Sequence, residues 1–164
     1  MSTARLAVRL MLLGLHVALG ALLCLTVLPR RAGAAMNARQ RRVVRWWLAV
    51  CARLIGLRIR TVGRAAVAHG CFVANHVSWL DIVVVGSLHH VRFLSKSEIA
   101  DWPFIGYLAR GAGTLFIRRG SGARGAFDEI RRLLQSNESV ALFPEGTTSA
   151  AYTSASFTRA CSAR

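Results

Sequence analysis

Apolar residues dominate the first third of the chain, in two stretches that differ in their polar interruptions. The first stretch, 10–28, is 19 residues long and is broken by one histidine, two glycines and one threonine. About 20 apolar residues cross a bilayer core, so this pattern predicts a membrane-anchoring helix. The second stretch, 43–57, interleaves Trp46 and Trp47 with Arg45 and Arg53. This pattern is typical of a helix in the lipid headgroup region, and the second arm of a helical hairpin or a core helix are the alternatives.

Short apolar runs alternate with helical patterns through the rest of the chain. Because such alternation is typical of layered α/β domains, we expect a layered mixed sheet with flanking helices, preceded by an N-terminal membrane-associated helical segment. The predicted strands are 57–62, 71–74, 91–94, 114–117 and 139–143. The predicted helices are 78–88, 104–110 and 123–135, the last with an apolar face of Phe127, Ile130, Leu133 and Leu134.

Charge supports a membrane address. The chain has a formal net charge of +15 and is 54% hydrophobic, a combination that suits an anionic lipid surface. Nucleic acid is the competing partner for such charge, but it leaves the apolar N-terminus unexplained. Arginines are more numerous after the first apolar stretch than before it, which predicts an inner-membrane protein whose chain after this stretch lies in the cytoplasm. A cleaved signal peptide is the alternative, favoured by the small residues at 32–35.

The four cysteines and the histidines at 69, 89 and 90 show no metal-ligand spacing. We therefore predict no metal and no bound cofactor.

The most informative polar residues are His76 and Asp81, which follow the apolar run 71–74. Five helical steps would place them about 140° apart on a helix, so they do not share a helical face. They can meet if His76 lies in a turn and Asp81 in the first turn of the next helix, where the helix dipole favours a carboxylate. The carboxylate would then hold one imidazole nitrogen and leave the other to act as a general base.

Two later blocks strengthen this reading. Residues 113–120, Gly-Thr-Leu-Phe-Ile-Arg-Arg-Gly, predict a strand that ends in two cations. Residues 140–149 predict a strand that breaks at Pro144 into a glycine-containing loop. Together with the Asn75–Asp81 block, in this order, they resemble the glycerolipid acyltransferases, in particular lysophosphatidate acyltransferases. The resemblance runs from about Ile59 to Ser149 and implies a fold like that of the glycerol-3-phosphate acyltransferases.

The resemblance implies a role for each matching residue. His76 would be the general base and Asp81 its orienting partner, while a Ser78 nucleophile is the rival mechanism. Arg119 would contact the acceptor head group. Glu145, Gly146 and Thr147 would line the acceptor site. The chain departs from the family pattern at Arg118, where the family often has an acid.

The implied function is a membrane-associated O-acyltransferase in phospholipid biosynthesis. It would move a fatty acyl group from acyl-carrier protein or coenzyme A to the hydroxyl of a lysophospholipid, turning 1-acylglycerol 3-phosphate into phosphatidate. Acylation of lyso-ornithine lipid, an inactive membrane-binding fragment and a nucleic-acid-binding module are the alternatives. We expect residues 1–56 to form the anchor and interfacial helices and 57–149 the N-terminal part of the acyltransferase domain. The tail, 150–164, is atypical and has no apolar period, so we expect it to be out of frame, in a chain that is C-terminally truncated or frameshifted.

Overall fold

A computed structural model describes residues 3–29, 34–63, 69–117 and 122–143. In chain order these contain α1 (Thr3–Thr26), α2 (Ala38–Ile55), β1 (Cys71–Val73), α3 (Leu80–Leu88), β2 (Arg92–Lys96), α4 (Ser97–Ala100), α5 (Ile105–Gly111), β3 (Leu115–Ile117), α6 (Gly122–Gln135) and β4 (Val140–Leu142). The α/β class predicted from the alternating pattern is confirmed. The expected tail, 150–164, lies outside the described residues.

The four strands form one sheet in the order β1-β4-β2-β3. All three described pairings are parallel, with Val140 opposite both Cys71 and Arg92, and Leu94 opposite Leu115. The antiparallel component of the expected mixed sheet is not among these strands. β1 lies at one edge and pairs with β4, the last of the described strands.

Side chains of β4 point alternately to the two faces of the sheet, as the two-residue period of a strand requires. Ala141 packs with Phe93 and Val85 on the face that α3 covers. Val140 packs with Leu133 and Leu115 on the face that α6 covers. Burial on both faces is typical of parallel sheets and explains why these strands are short apolar runs.

Helix α2 forms a further layer outside α3. Val44, Leu48 and Cys51 of α2 pack against Val83 of α3 in a third apolar cluster. α2 begins at a capping box, in which Asn37 and Gln40 bond each other's backbone amides. It ends at Gly56, whose φ of 91° is a left-handed conformation that glycine adopts without strain.

Helix α1 packs against α2 and α5, and its fully buried residues are small or polar. Its buried residues, His16, Gly20 and Cys24, recur every four positions and form one stripe. Nine large apolar side chains of the same helix are 37–62% exposed: Leu6, Val8, Leu10, Met11, Leu12, Leu15, Leu19, Leu22 and Leu25. α1 is long and apolar enough to cross a membrane by length and composition. The nine exposed side chains point away from the protein. A helix surrounded by water would have the reverse arrangement, with its large apolar side chains facing the protein.

A buried ion pair ties the N-terminal segment to the sheet. Arg92, which is 1% exposed, donates through Nε to the carboxylate of Glu138, and Nη2 lies 3.1 Å from the second oxygen. Nη2 also donates to the carbonyl of Ala34 at 2.6 Å. Nη1 lies 3.4 Å from the carbonyl of Gly113, which precedes β3. One side chain therefore joins three separate parts of the chain.

Two expectations from the sequence are wrong. Residues 57–62 form no strand, since Leu57 packs beside the α1–α2 contact and Val62 is 88% exposed. Phe127 of α6 is 55% exposed, although Leu133 on the expected face is 2% exposed. The neighbouring strands β3 and β4 have three residues each, about 10 Å of sheet, whereas a helix of 14 residues is about 21 Å long. The sheet is therefore too short to cover the whole face of α6.

Candidate active site

The polar residues singled out in the sequence meet at the carboxyl end of β1. His76 follows β1 in a turn, and Asp81 lies in the first turn of α3. His76 Nδ1 lies 3.1 Å from Asp81 Oδ2, so the contact expected from their spacing is present. A carboxylate accepts hydrogen bonds, which assigns a proton to Nδ1, and in the neutral ring this leaves the lone pair on Nε2. Among the described residues, no group hydrogen-bonds to Nε2.

The Asp81 carboxylate is itself held by the turn. Oδ2 accepts the backbone amides of Val77 at 2.8 Å and Ser78 at 2.9 Å, in addition to the imidazole. Ser78 Oγ accepts the amide of Leu80 at 3.3 Å, which supports the start of α3. The turn therefore holds the Asp81 carboxylate in place before any substrate arrives. Little free energy is then needed to order this side chain during the reaction.

The imidazole also rests on an aromatic ring. Phe143, the residue after β4, stacks on His76 with ring centroids 4.3 Å apart and an interplanar angle of 22°. Phe93 of β2 lies behind Phe143, with centroids 6.2 Å apart and nearly parallel planes. The side chain of His76 is 17% exposed and that of Asp81 is 28% exposed. The pair is thus walled on one side and open on the other.

Two groups of sequence-predicted residues differ in their outcome, and the structure adds one cation. Ser78 lies in the turn, but no hydrogen bond joins it to His76 among the described contacts, so a serine–histidine pair is not formed here. Arg119, Glu145, Gly146 and Thr147 lie outside the described residues, so their predicted roles stay predictions. Lys96 ends β2, and the carboxyl ends of parallel strands share one sheet edge, which places this cation on the same edge as His76.

Sequence reasoning gave no role to Phe143 or to the amides of Val77 and Ser78. Phe143 stands in the 140–149 block, where an aromatic residue at the end of a strand was the available signal. The amides carried no signal, because every residue except proline has one.

The described residues contain no group of three or more histidine, cysteine or acidic side chains that could hold a metal ion. The arrangement at His76 is that of a base oriented by a carboxylate, which can accept a proton from a hydroxyl.

Comparison with known proteins agrees with this chemistry. A family model described as Acyltransferase matches residues 58–161. The chain is 42% identical, over 84% of its length and 54% of the relative's, to a lyso-ornithine lipid O-acyltransferase of Pseudomonas aeruginosa. It is 41% identical, over 71% of its length and 47% of the relative's, to a 1-acyl-sn-glycerol-3-phosphate acyltransferase of Neisseria meningitidis.

The chain thus spans about half the length of these two curated relatives, 54% and 47%. No solved structure matches the chain. The family model covers most of the chain, including the His76–Asp81 turn and the whole of the described sheet. The chain therefore belongs to the acyltransferase family.

Proposed function

We propose that this chain forms the catalytic part of an O-acyltransferase that acylates the free hydroxyl of a lysolipid. The observation that carries the proposal is the hydrogen bond between His76 Nδ1 and Asp81 Oδ2. It supports the tautomer that a general base needs, because a neutral ring that donates from Nδ1 carries its lone pair on Nε2.

In the proposed reaction, Nε2 of His76 takes the proton of the acceptor hydroxyl as the oxygen attacks the thioester carbonyl. A carbon–oxygen bond forms, and the carbonyl electrons move to the oxygen. The carbon–sulfur bond then breaks, and the imidazolium returns the proton to the leaving thiolate. Asp81 stabilises the imidazolium between these steps, while its bonds to Val77 and Ser78 keep it in place. The donor in this proposal is acyl-carrier protein or coenzyme A carrying the acyl thioester.

Two acceptors are candidates. The first is 1-acylglycerol 3-phosphate, whose phosphate would be bound by Arg119, with Glu145, Gly146 and Thr147 lining the acceptor side. The second is lyso-ornithine lipid. It is favoured by the longer match to the Pseudomonas aeruginosa relative, over 84% of this chain against 71% for the Neisseria meningitidis relative.

We further propose that α1 lies in one face of the bacterial inner membrane with the catalytic part on the cytoplasmic side. α1 is held to the domain through its second half, by His16 with Trp47 and by the Ala21 carbonyl, which accepts from the hydroxyl of Tyr107. α2 runs beside it with arginines at 39, 41, 42, 45 and 53, which disfavour a transmembrane position. The outward apolar side chains of α1 would therefore enter the lipid sideways while α2 stays at the headgroups.

Product analysis tests the acyltransferase proposal. Membranes containing the chain would be incubated with a labelled acyl thioester and, in separate reactions, lysophosphatidate or lyso-ornithine lipid. Thin-layer separation should show one diacyl product above the level given by membranes that carry His76→Ala. Equal product from the two membranes with every acceptor would contradict the proposal. An alkaline carbonate wash of the same membranes should leave the chain in the pellet, and release by high salt alone would contradict insertion of α1.

A further inference from the structure

A polar cavity lies at the opposite end of the sheet from His76. It has a volume of about 360 Å³ and is lined by Arg41, Arg45, His69, His89, His90 and the 136–139 turn. His69 precedes β1, His89 and His90 precede β2, and the turn precedes β4. We call this cavity the amino-end pocket, because the amino ends of three parallel strands form its floor. Helix α3 separates it from the active site, since Asp81 and His89 are about 12 Å apart along that helix.

The amino-end pocket has an excess of positive charge. Its one acid, Glu138, is already bonded to Arg92 by both carboxylate oxygens. Among the described residues, neither the Arg41 nor the Arg45 guanidinium donates a hydrogen bond or forms an ion pair. Arg41 is half-buried and Arg45 is exposed at the rim. Two cations on adjacent turns of α2 therefore face a cavity whose acid is compensated, which favours an anion there.

The histidines add hydrogen-bonding capacity without adding charge. His90 Nε2 is buried and has no hydrogen-bond partner among the described residues. Burial lowers the pKa of His90 to about 4, so its ring is neutral near pH 7. His89 is held in place by stacking on Phe72, with centroids 5.4 Å apart. A buried nitrogen without a partner costs free energy, and a ligand or water in the cavity would remove that cost.

The pocket lies beside the end of the membrane helix. Gln40, the neighbour of Arg41, donates from its side chain to the carbonyl of Val27 at 2.8 Å, directly after α1. Leu22 and Leu25, in the last turns of α1, are 54% and 55% exposed. Where the surface of a membrane-bound protein changes from apolar side chains to arginines, it lies at the depth of the lipid phosphates. A headgroup could therefore reach this pocket without leaving the membrane surface.

Two other occupants fit less well. A metal ion is disfavoured because the described histidine, cysteine and acidic side chains form no group able to hold one. The reacting acyl thioester is disfavoured because His76 lies at the other end of the sheet.

We infer that the amino-end pocket binds a phosphate group through Arg41 and Arg45, carried either by a membrane lipid headgroup or by a soluble phosphate compound. This pocket is separate from the His76–Asp81 turn, and its occupancy does not depend on turnover.

The chain offers a matched pair of double variants on one helix. Arg41→Gln with Arg45→Gln removes the two pocket cations, whereas Arg39→Gln with Arg42→Gln removes two exposed cations that do not line the cavity. Inorganic phosphate would be titrated into the detergent-solubilised full chain, with binding measured by calorimetry. The first double should weaken phosphate binding by about tenfold or more, and the second by less than about twofold. An equal loss in the two doubles, or no saturable binding by the unaltered chain, would overturn the inference.

Vesicle flotation separates the two sources of phosphate. Phosphatidylcholine vesicles with and without phosphatidic acid would be compared, since α1 should anchor every variant to both. For a lipid source, the pocket double loses its preference for phosphatidic acid and the control double keeps it. For a soluble source, both doubles keep the preference while calorimetry still distinguishes them. Either result supports a phosphate site.

A third measurement tests the inference even if the pocket double variant fails to fold. In the unaltered chain, inorganic phosphate should shift the imidazole NMR signals of His90 at lower concentration than those of His76. The single variant Arg45→Gln, at an exposed rim position, should weaken that response. A response at His76 alone would place the phosphate in the active site and overturn the inference.

Discussion

His16 and Trp47 exchange hydrogen bonds across the contact between α1 and α2. His16 Nε2 lies 3.0 Å from the carbonyl of Trp47, and Trp47 Nε1 donates to the carbonyl of His16 at 3.0 Å. The two rings stack with centroids 4.9 Å apart and an interplanar angle of 12°. The one histidine in the long apolar run is therefore satisfied by its neighbour, and it does not require an aqueous path.

Two glycines of α1 test this contact against each other. A Cβ at Gly20 would lie 2.8 Å from the ring of Trp47, whereas a Cβ at Gly14 would meet nothing within 4 Å. Gly14→Ala should stabilise the protein by up to about 1 kcal/mol through helix propensity. Gly20→Ala should destabilise it by about 1–3 kcal/mol, because the stacked ring must move. Thermal unfolding in detergent measures both, and equal shifts for the two variants would show that α1 does not pack on α2.

Substitutions in the His76 turn test the proposed base. His76→Ala should lower turnover by about 10²–10⁴-fold, because it removes the base that takes the proton of the acceptor hydroxyl in the proposed reaction. Asp81→Asn should cost less, since it weakens orientation and charge but keeps the imidazole. Ser78→Ala serves as the control and should leave turnover nearly unchanged, because its hydroxyl accepts only a local amide bond among the described contacts. Full loss in Ser78→Ala together with normal turnover in His76→Ala would favour the serine nucleophile.

Arg92→Met tests the buried ion pair. Removing one partner of such a pair leaves an uncompensated charge and should lower the free energy of unfolding by about 3–5 kcal/mol. The double variant Arg92→Met with Glu138→Leu should recover part of that loss. Arg132→Met is the control, because its pair with Glu129 is exposed and should be worth at most about 1 kcal/mol. Chemical denaturation measures each value, and equal effects of Arg92→Met and Arg132→Met would contradict the prediction.

The same pair makes stability depend on acid pH. Burial acts to raise the pKa of Glu138, but its hydrogen bonds to Arg92 and the arginine charge outweigh burial and lower that pKa below its ordinary value. A carboxyl whose pKa is lower in the folded state stabilises the protein above its unfolded pKa, and this contribution is lost as the pH falls through the folded pKa. Below about pH 4.3 the unaltered chain should therefore lose stability faster than Glu138→Gln. Parallel acid titrations of unfolding would refute this if the two curves had the same slope.

Arg119 is expected to bind the acceptor through its guanidinium fork. Arg119→Ala should raise the KM for the acceptor, and Arg119→Lys should restore it only in part, because an ammonium does not reproduce two parallel hydrogen bonds. The KM for the acyl donor should change little. Steady-state kinetics with each substrate varied in turn measures this, and unchanged acceptor kinetics in both variants would rule the role out.

Local patterns predicted much of the fold and part of the site. The helices near 78–88, 104–110 and 123–135 are present with small shifts at their ends, because periodicity and caps are local properties. The contact of His76 with Asp81 was predictable for the same reason. It depends only on the turn that holds His76 and on the first turn of the helix that holds Asp81. The apolar run 10–28 predicted the helix α1. It did not predict that small residues of this helix would face the domain.

Contacts between distant residues were not predictable from those patterns. Arg92 and Glu138 are 46 positions apart, and either residue alone resembles a solvated surface charge. Phe143 lies under His76 because β4 is inserted beside β1, and an alternating pattern does not determine strand order. The amino-end pocket depends on that order too, since its floor comes from the segments before three different strands.

The sheet order has a consequence for how the molecule folds. Among the described strands, β1, which leads to His76, pairs with β4 alone, and Cys71 finds its partner Val140 far along the chain. The His76–Asp81 turn can form early during synthesis because its contacts are local, but its aromatic support cannot form until β4 has left the ribosome. Closing so long a loop is slow compared with forming a helix. If α1 attaches to the membrane as it emerges, the pairing of β1 with β4 would take place at the lipid surface, and Phe143 would reach His76 there.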